Sequence, residues 1–297
     1  MNEPDRNERR YITSDGISLA TENTGITKPK ARIVVVHGYG EHKGRYSHVI
    51  SRLSKARIDC HLFDLRGHGS SEGPRGYVRS FNDYLSDLVN IIKTTQKEEK
   101  LGTNGHKDSG SLKTPLFLLG HSLGGLICLG YILRPNIPLS GVILSNPFLE
   151  SNIKAPRILE FVLRRAAKIF PRLSIPGRID PSFLSRDPSV GDRYRKDRLI
   201  LRKLNIRWYL ETEKEQRFVL SNRRRIGTPM FLALGLEDPI AVPETAFGLF
   251  QATASPSSRC LRLPSLRHEV LNEPGWEDLV DKMEVWIDQQ LENPQIA

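Results

Sequence analysis

Residues Pro115 to Gly130 read Pro-Leu-Phe-Leu-Leu-Gly-His-Ser-Leu-Gly-Gly-Leu-Ile-Cys-Leu-Gly. The apolar run Leu116 to Leu119 breaks at Gly120, exposes Ser122, and passes after Gly124-Gly125 into a second apolar segment. This is Gly-x-Ser-x-Gly in a strand–turn–helix setting. A turn this sharp strains the serine backbone, and side chains at Gly120 and Gly124 would collide with the flanking elements. The turn lifts the Ser122 hydroxyl clear of a sheet as a candidate nucleophile. It also aims the Leu123 amide, at a helix N-terminus, toward a developing oxyanion. The pattern alone is weak, so its surroundings must decide.

Working outward, apolar runs recur, each followed within a few residues by glycine, aspartate or proline. They are Ile33 to Val36, Cys60 to Phe63, Val142 to Leu144, Met230 to Leu234 and Cys260 to Leu263. Near-continuous apolar strands, unlike alternating ones, belong to a parallel sheet covered on both faces. Helices are expected at Val49 to Ala56, Phe81 to Thr94, Leu123 to Leu133 and Glu277 to Leu291. Arg10 to Thr13 and Ser18 to Glu22, around Asp15-Gly16, read as a β-hairpin. The fold class is α/β, with an antiparallel edge at the start.

Two segments interrupt this rhythm. Gln96 to Thr114 is polar and rich in Gly, Ser and Lys, and is expected to be a surface loop. Residues 150–226 contain no convincing parallel strand. Ile158 to Phe170 reads there as an amphipathic helix with Arg164, Arg165 and Lys168 on its basic face, followed by Pro-punctuated turns and Leu199 to Phe218. The expected organisation is a core of residues 1–149 and 227–297 with a helical insertion between.

The 297 residues can bury a full core, and 38% apolar with 26% charged content is ordinary for a globular chain. No apolar run is long enough to span a membrane, and the polar N-terminus lacks a signal-like segment. Three cysteines, Cys60, Cys128 and Cys260, suit reduced buried thiols, so a cytoplasmic setting is expected. The net charge of +10 is uneven: residues 150–226 hold 20 Lys/Arg against 9 Asp/Glu. Such a stretch suits a nucleic-acid backbone, an anionic lipid surface at a membrane, or solvent alone.

A serine hydroxyl needs a base, and the base needs an acid to fix its tautomer. In elbow-type folds the order is Ser, then Asp or Glu, then His. Of eight histidines only His268 follows Ser122, so it is the candidate base. Asp238 and its neighbour Glu237 directly follow the strand Met230 to Leu234, where α/β folds place their chemistry. Asp238 is favoured, because Pro239 stiffens its turn. The second oxyanion amide is expected from His37-Gly38-Tyr39-Gly40, with the Tyr39 N–H as donor. His68, in Asp64-Leu-Arg-Gly-His-Gly, reads as a scaffold residue. No cluster has metal-ligand spacing and no glycine loop cradles phosphate, so neither metal nor cofactor is expected. A complete nucleophile, acid and base argue against a pure binding role, and no nucleic-acid partner is expected.

Three blocks give the chain a resemblance to the monoacylglycerol lipase and lysophospholipase branch of the α/β-hydrolases. They are His37-Gly-Tyr-Gly-Glu-His-Lys-Gly-Arg-Tyr46, Asp64-Leu-Arg-Gly-His-Gly-Ser-Ser-Glu-Gly73 and Gly120-His-Ser-Leu-Gly-Gly125. Leu184 to Arg186 and Arg267 to Glu269 agree with it. The resemblance implies an α/β-hydrolase fold and a Ser122–Asp238–His268 triad with oxyanion amides at Tyr39 and Leu123. It further implies that residues 150–226 form a cap with a tunnel for a lipid ester. Glu41, Arg45, His121 and Tyr194 would line a polar pocket for the glycerol or head-group end. Tyr39 departs from the small residue of the family and is expected to narrow the alcohol pocket.

Overall fold

The computed structural model describes residues 7–101, 114–135, 137–153, 157–177, 179–253 and 255–292. The chain opens with the hairpin β1 (Asn7–Ile12) and β2 (Ser18–Asn23), turned by Gly16 at φ 84°. Then follow β3 (Ala31–Val36), α1 (Ser47–Lys55), β4 (Ile58–Phe63) and α2 (Asn82–Leu101). The elbow stretch gives β5 (Leu116–His121) and α3 (Leu123–Ile132), and β6 (Gly141–Ser145) comes next.

Between β6 and the next strand of the main sheet lie α4 (Arg157–Ile169), β7 (Ser174–Pro176), α5 (Pro188–Lys196), β8 (Lys203–Asn205) and α6 (Ile206–Asn222). The main sheet resumes with β9 (Met230–Gly235), α7 (Pro243–Ala252), β10 (Arg259–Leu263) and α8 (Trp276–Glu292).

The eight main strands run in the order β1-β2-β4-β3-β5-β6-β9-β10. All neighbours from β4 onward are parallel, while β1 and β2 add an antiparallel edge. This is the mostly parallel, helix-covered sheet expected of an α/β-hydrolase fold. The continuous apolar strands follow from burial on both faces. Val34, Val36, Leu118, Val142 and Leu144 point into a core with α2, α3 and α6. Ile33, Val35, Phe117, Leu119 and Ile143 point the other way, onto Val49, Ile50 and Leu53 of α1 and Val280, Met283 and Ile287 of α8.

The structure departs from the sequence pattern in four places. Gln96 to Leu101, expected as loop, continues α2, because Gln, Lys and Glu are good helix formers; residues 102–113 of that stretch lie outside the described residues. The expected helical insertion carries a two-stranded antiparallel ribbon, β7 with β8. Leu199 to Phe218 is not one element: α6 starts at Ile206, where the Asn205 side chain caps the Trp208 N–H at 3.0 Å. Two short helices, α5 and α7, begin at prolines, Pro188 and Pro243, that suit a first helical position yet read as turn signals in a sequence.

Candidate active site

β5 ends at His121, and Ser122 stands between it and α3 at φ 51° and ψ −116°. A left-handed backbone at a residue with a side chain is strained, and three contacts hold it. Ser122 N–H donates to Ser145 O at 3.0 Å, while Ser122 O accepts from Phe148 N–H at 2.9 Å and Leu126 N–H at 3.2 Å. The glycines have the steric role their spacing implies. A Cβ on Gly120 would meet Gly124 O at 2.6 Å, and one on Gly124 would overlap the Val36 and His37 carbonyls.

Asp238 follows β9 and is buried. Its Oδ1 accepts from the Ile240 and Ala241 N–H groups at 2.7 and 3.0 Å. Its Oδ2 accepts from Asn146 Nδ2 at 2.5 Å and pairs with His268 Nδ1 at 2.6 Å. Burial raises the carboxyl pKa, but His268, Asn146 and the backbone donors outweigh it and keep Asp238 below its ordinary value. Burial likewise lowers His268, yet the charge and hydrogen bond of Asp238, aided by Glu269 and Glu41, raise it above the usual imidazole value. An ion pair on Nδ1 leaves Nε2 as the proton-exchanging nitrogen.

The His268 loop is tied to the segment between α4 and α5. His268 N–H donates to Phe183 O at 3.3 Å and Glu269 N–H to Leu184 O at 2.8 Å. Arg267 N–H reaches Glu273 Oε1 at 2.8 Å, and Arg186 N–H reaches Oε2 of the same carboxylate at 3.1 Å. The ring of His121 lies 4.8 Å from that of His268, and its Nδ1 faces Ser145 O and Oγ, both at 3.1 Å.

The loop after β3 bends over Ser122. Gly38 N–H is taken by Glu41 Oε1 at 2.5 Å. Among the described residues no protein acceptor takes the Tyr39 or the Leu123 N–H, the two expected oxyanion donors. The Tyr39 side chain does something its sequence position did not announce. Its ring stacks on Trp208 of α6 at 3.7 Å, and its hydroxyl donates to Lys203 O at 3.1 Å and accepts from Asn205 N–H at 3.2 Å. The phenol is thus engaged with β8 and α6.

His68 is fully buried, with Nδ1 3.0 Å from Arg66 O, and burial pushes its pKa down to about 3. Glu41 and Arg45 share a buried ion network with Glu269, which Tyr194 covers with its ring 5.5 Å from the guanidinium. Arg45 and Tyr194 also border a cavity of about 600 Å³ walled in part by His48, Arg193 and Trp276. Two contributors carry only faint sequence signals. Asn146 sits in a Ser-Asn-Pro turn after β6, and Glu269 follows the histidine in Arg-His-Glu.

A mostly parallel eight-stranded sheet with a serine on a strained strand-to-helix turn, and with a buried Asp–His pair on the loops after its later strands, defines an α/β-hydrolase of the serine type. The chain belongs to the family Hydrolase_4 (serine aminopeptidase, S33), whose sequence model matches residues 27–275. It is 33% identical over 254 residues to the monoglyceride lipase of Rattus norvegicus, covering 82% of this chain and 77% of that one. To phospholipase YtpA of Bacillus subtilis it is 27% identical over 266 residues, covering 89% and 97%. An uncharacterized abhydrolase domain-containing protein of Dictyostelium discoideum is 30% identical over 288 residues, and there the chain spans only 29% of the relative's length. The crystal structure of Paleococcus ferrophilus monoacylglycerol lipase superposes with a TM-score of 0.77 at 28% identity, covering 92% of this chain and 99% of that one. Among the described residues, no helix is long and apolar enough to cross a membrane.

Proposed function

We propose that the protein is a carboxylic ester hydrolase that cleaves the ester of a single-chain lipid through an acyl-enzyme on Ser122. The observation that carries this reading is the His268 Nδ1–Asp238 Oδ2 pair at 2.6 Å, in a fold whose strand-to-helix turn holds Ser122 at φ 51°. His268 Nε2 takes the Ser122 hydroxyl proton as Oγ attacks the ester carbonyl. The Tyr39 and Leu123 N–H groups receive the oxyanion. The tetrahedral intermediate collapses, and the departing alcohol leaves with the proton from His268. Water, deprotonated by the same nitrogen, then attacks the acyl carbonyl and frees the acid and Ser122.

The lipid assignment draws on the monoacylglycerol lipases and the phospholipase among the relatives. It also draws on the segment between β6 and β9, read as a cap of residues 150–226 on a core of 1–149 and 227–297. There Phe161, Val162, Ile169, Phe170 and Leu173 are exposed beside the exposed Arg165 and Arg172. Exposed apolar and basic side chains together suit an anionic lipid surface, so the cap is also read as a peripheral membrane contact. The basic composition favours lysophospholipid as the second reading beside monoacylglycerol. A short-chain esterase, thioesterase or acyltransferase would use the same triad.

Rates on matched monoacylglycerols, lysophospholipids and acetate esters test the substrate class. Fastest turnover on acetates removes the lipid reading. Labelling with a fluorophosphonate tests the chemistry. The reading requires Ser122→Ala to abolish the adduct, and retained labelling sinks it.

A further inference from the structure

Between the loop after β3 and the His268 loop lies a buried group of charges with no part in the hydrolytic steps above. Glu41 Oε1 accepts from the Gly38 N–H at 2.5 Å and from the Tyr46 hydroxyl at 2.7 Å. Glu41 Oε2 accepts from Arg45 Nη1 at 3.1 Å. The same guanidinium grips Glu269 with both arms, Nη1 to Oε1 at 2.5 Å and Nη2 to Oε2 at 2.7 Å. Glu269 is the residue after His268, and its backbone is fixed through Leu184. Asn272 Nδ2 donates to Glu269 Oε2 at 3.0 Å. Glu41 and Glu269 are buried, their side chains 5% and 4% exposed, and the Arg45 side chain is largely covered at 11%.

We infer that Arg45 is a positioning residue that fixes the oxyanion loop, through Glu41 and Gly38, to the base His268, through Glu269. The inference rests on the proposed triad. Its physical core is the guanidinium plane, whose five donors in a rigid fork grip Glu269 bidentately while still reaching Glu41, a fixed two-armed geometry that an ammonium does not offer. By committing the Gly38 N–H to Glu41, the network also leaves Tyr39 as the loop's donor for the oxyanion. Two elements whose separation sets the reaction geometry are thereby joined by one side chain. Arg45 also borders the cavity shared with Tyr194, so direct contact with a substrate head group is the competing role.

The test uses the full chain with Arg45→Met, Arg45→Lys and Glu269→Gln. It measures kcat and KM on a soluble p-nitrophenyl ester, which has no glycerol or phosphate, and on a monoacylglycerol. The rate of fluorophosphonate labelling and the melting temperature are followed alongside. Arg45→Met is expected to lower kcat on both esters by about 100-fold with KM within about threefold, since an ångström of misplacement costs that much. Labelling slows in parallel, and Arg45→Lys recovers only part of the loss. Glu269→Gln, which keeps the Glu41–Arg45 pair, lowers kcat by about tenfold, and Arg45→Met costs less in that background because the two act as a unit.

A normal kcat on the p-nitrophenyl ester with KM raised only for the monoacylglycerol overturns the inference and makes Arg45 a head-group ligand. A lowered melting temperature with unchanged kcat and labelling overturns it as well. Should Arg45→Met not fold, Glu269→Gln decides alone, and its unchanged kcat and labelling rate would be fatal. Retained labelling in Ser122→Ala instead removes the triad reading itself, whatever the Arg45 variants do.

Discussion

Asn146 Nδ2 and His268 Nδ1 converge on one oxygen of Asp238, at 2.5 and 2.6 Å, and Asn146 does so from a left-handed backbone at φ 39°. Asparagine tolerates that conformation better than most residues. Its Oδ1 accepts from the Gly235 N–H at 2.8 Å, so one amide ties β9 to the acid that follows it. Asn146→Ala therefore removes three buried hydrogen bonds, one of them to Gly235 O at 3.3 Å, and leaves the Gly235 N–H without an acceptor. The expected cost is about 2–4 kcal/mol of stability and a fall in kcat, read by chemical denaturation and steady-state rates. Unchanged stability would show that Asp238 is held without it.

The strain at Ser122 predicts that a residue without a Cβ is the more stable there. Ser122→Gly relieves the left-handed backbone, whereas Ser122→Ala keeps a Cβ there. The glycine variant is expected to be about 1 kcal/mol more stable than the alanine variant. Both should be inactive. Calorimetry on the two checks the order, and an alanine variant that is the more stable contradicts the stored strain.

Raising His268 above its ordinary value has opposite consequences for stability and rate. The protonated ring stabilises the fold fully below the unfolded value of about 6.5, and that contribution fades as pH climbs through the raised folded value. Activity needs the neutral ring, so kcat/KM should rise over the same window. In Asp238→Asn the acid limb should move to lower pH, with a loss in kcat of about 10⁴-fold. An acid limb that stays in place would remove His268 as the titrating base.

On anionic vesicles the exposed end of α4 and the turn that follows it should act through both of their chemistries. Arg165→Gln with Arg172→Gln should weaken binding about 30-fold at low salt, at roughly 1 kcal/mol per charge, and less at high salt. Ile169→Asp with Phe170→Asp, at side chains 73% and 63% exposed, should weaken it at every salt concentration. Binding unaffected by either pair would place the membrane contact elsewhere or nowhere.

The elements that the sequence announced are those whose residues carry both burial and a backbone instruction. Ile33 to Val36 and Leu116 to Leu119 are apolar on both faces, which only a covered parallel strand explains. The segment between β6 and β9 was legible only in part. Its short ribbon, α5 and the start of α6 depend on capping by Asp187 and Asn205 and on pairing between Ser174 and Asn205, which no periodicity encodes. Tyr39 shows the same limit: its backbone position followed from the loop motif, whereas its stacking on Trp208, 169 residues away, did not.

Local chain chemistry by itself determined the strained serine turn, the strands that carry it, and the single histidine that follows Ser122, because steric demand and chain order leave few alternatives. Tertiary structure alone decided what Glu41 and Glu269 serve. Asp238 meets His268 while Glu41 and Glu269 turn to Arg45. A carboxylate's role is set by the donors that surround it after burial, and those donors come from the turn after β6, the loop after β3 and the turn before α8. They are distant in the chain, and only the folded sheet brings them within hydrogen-bond reach.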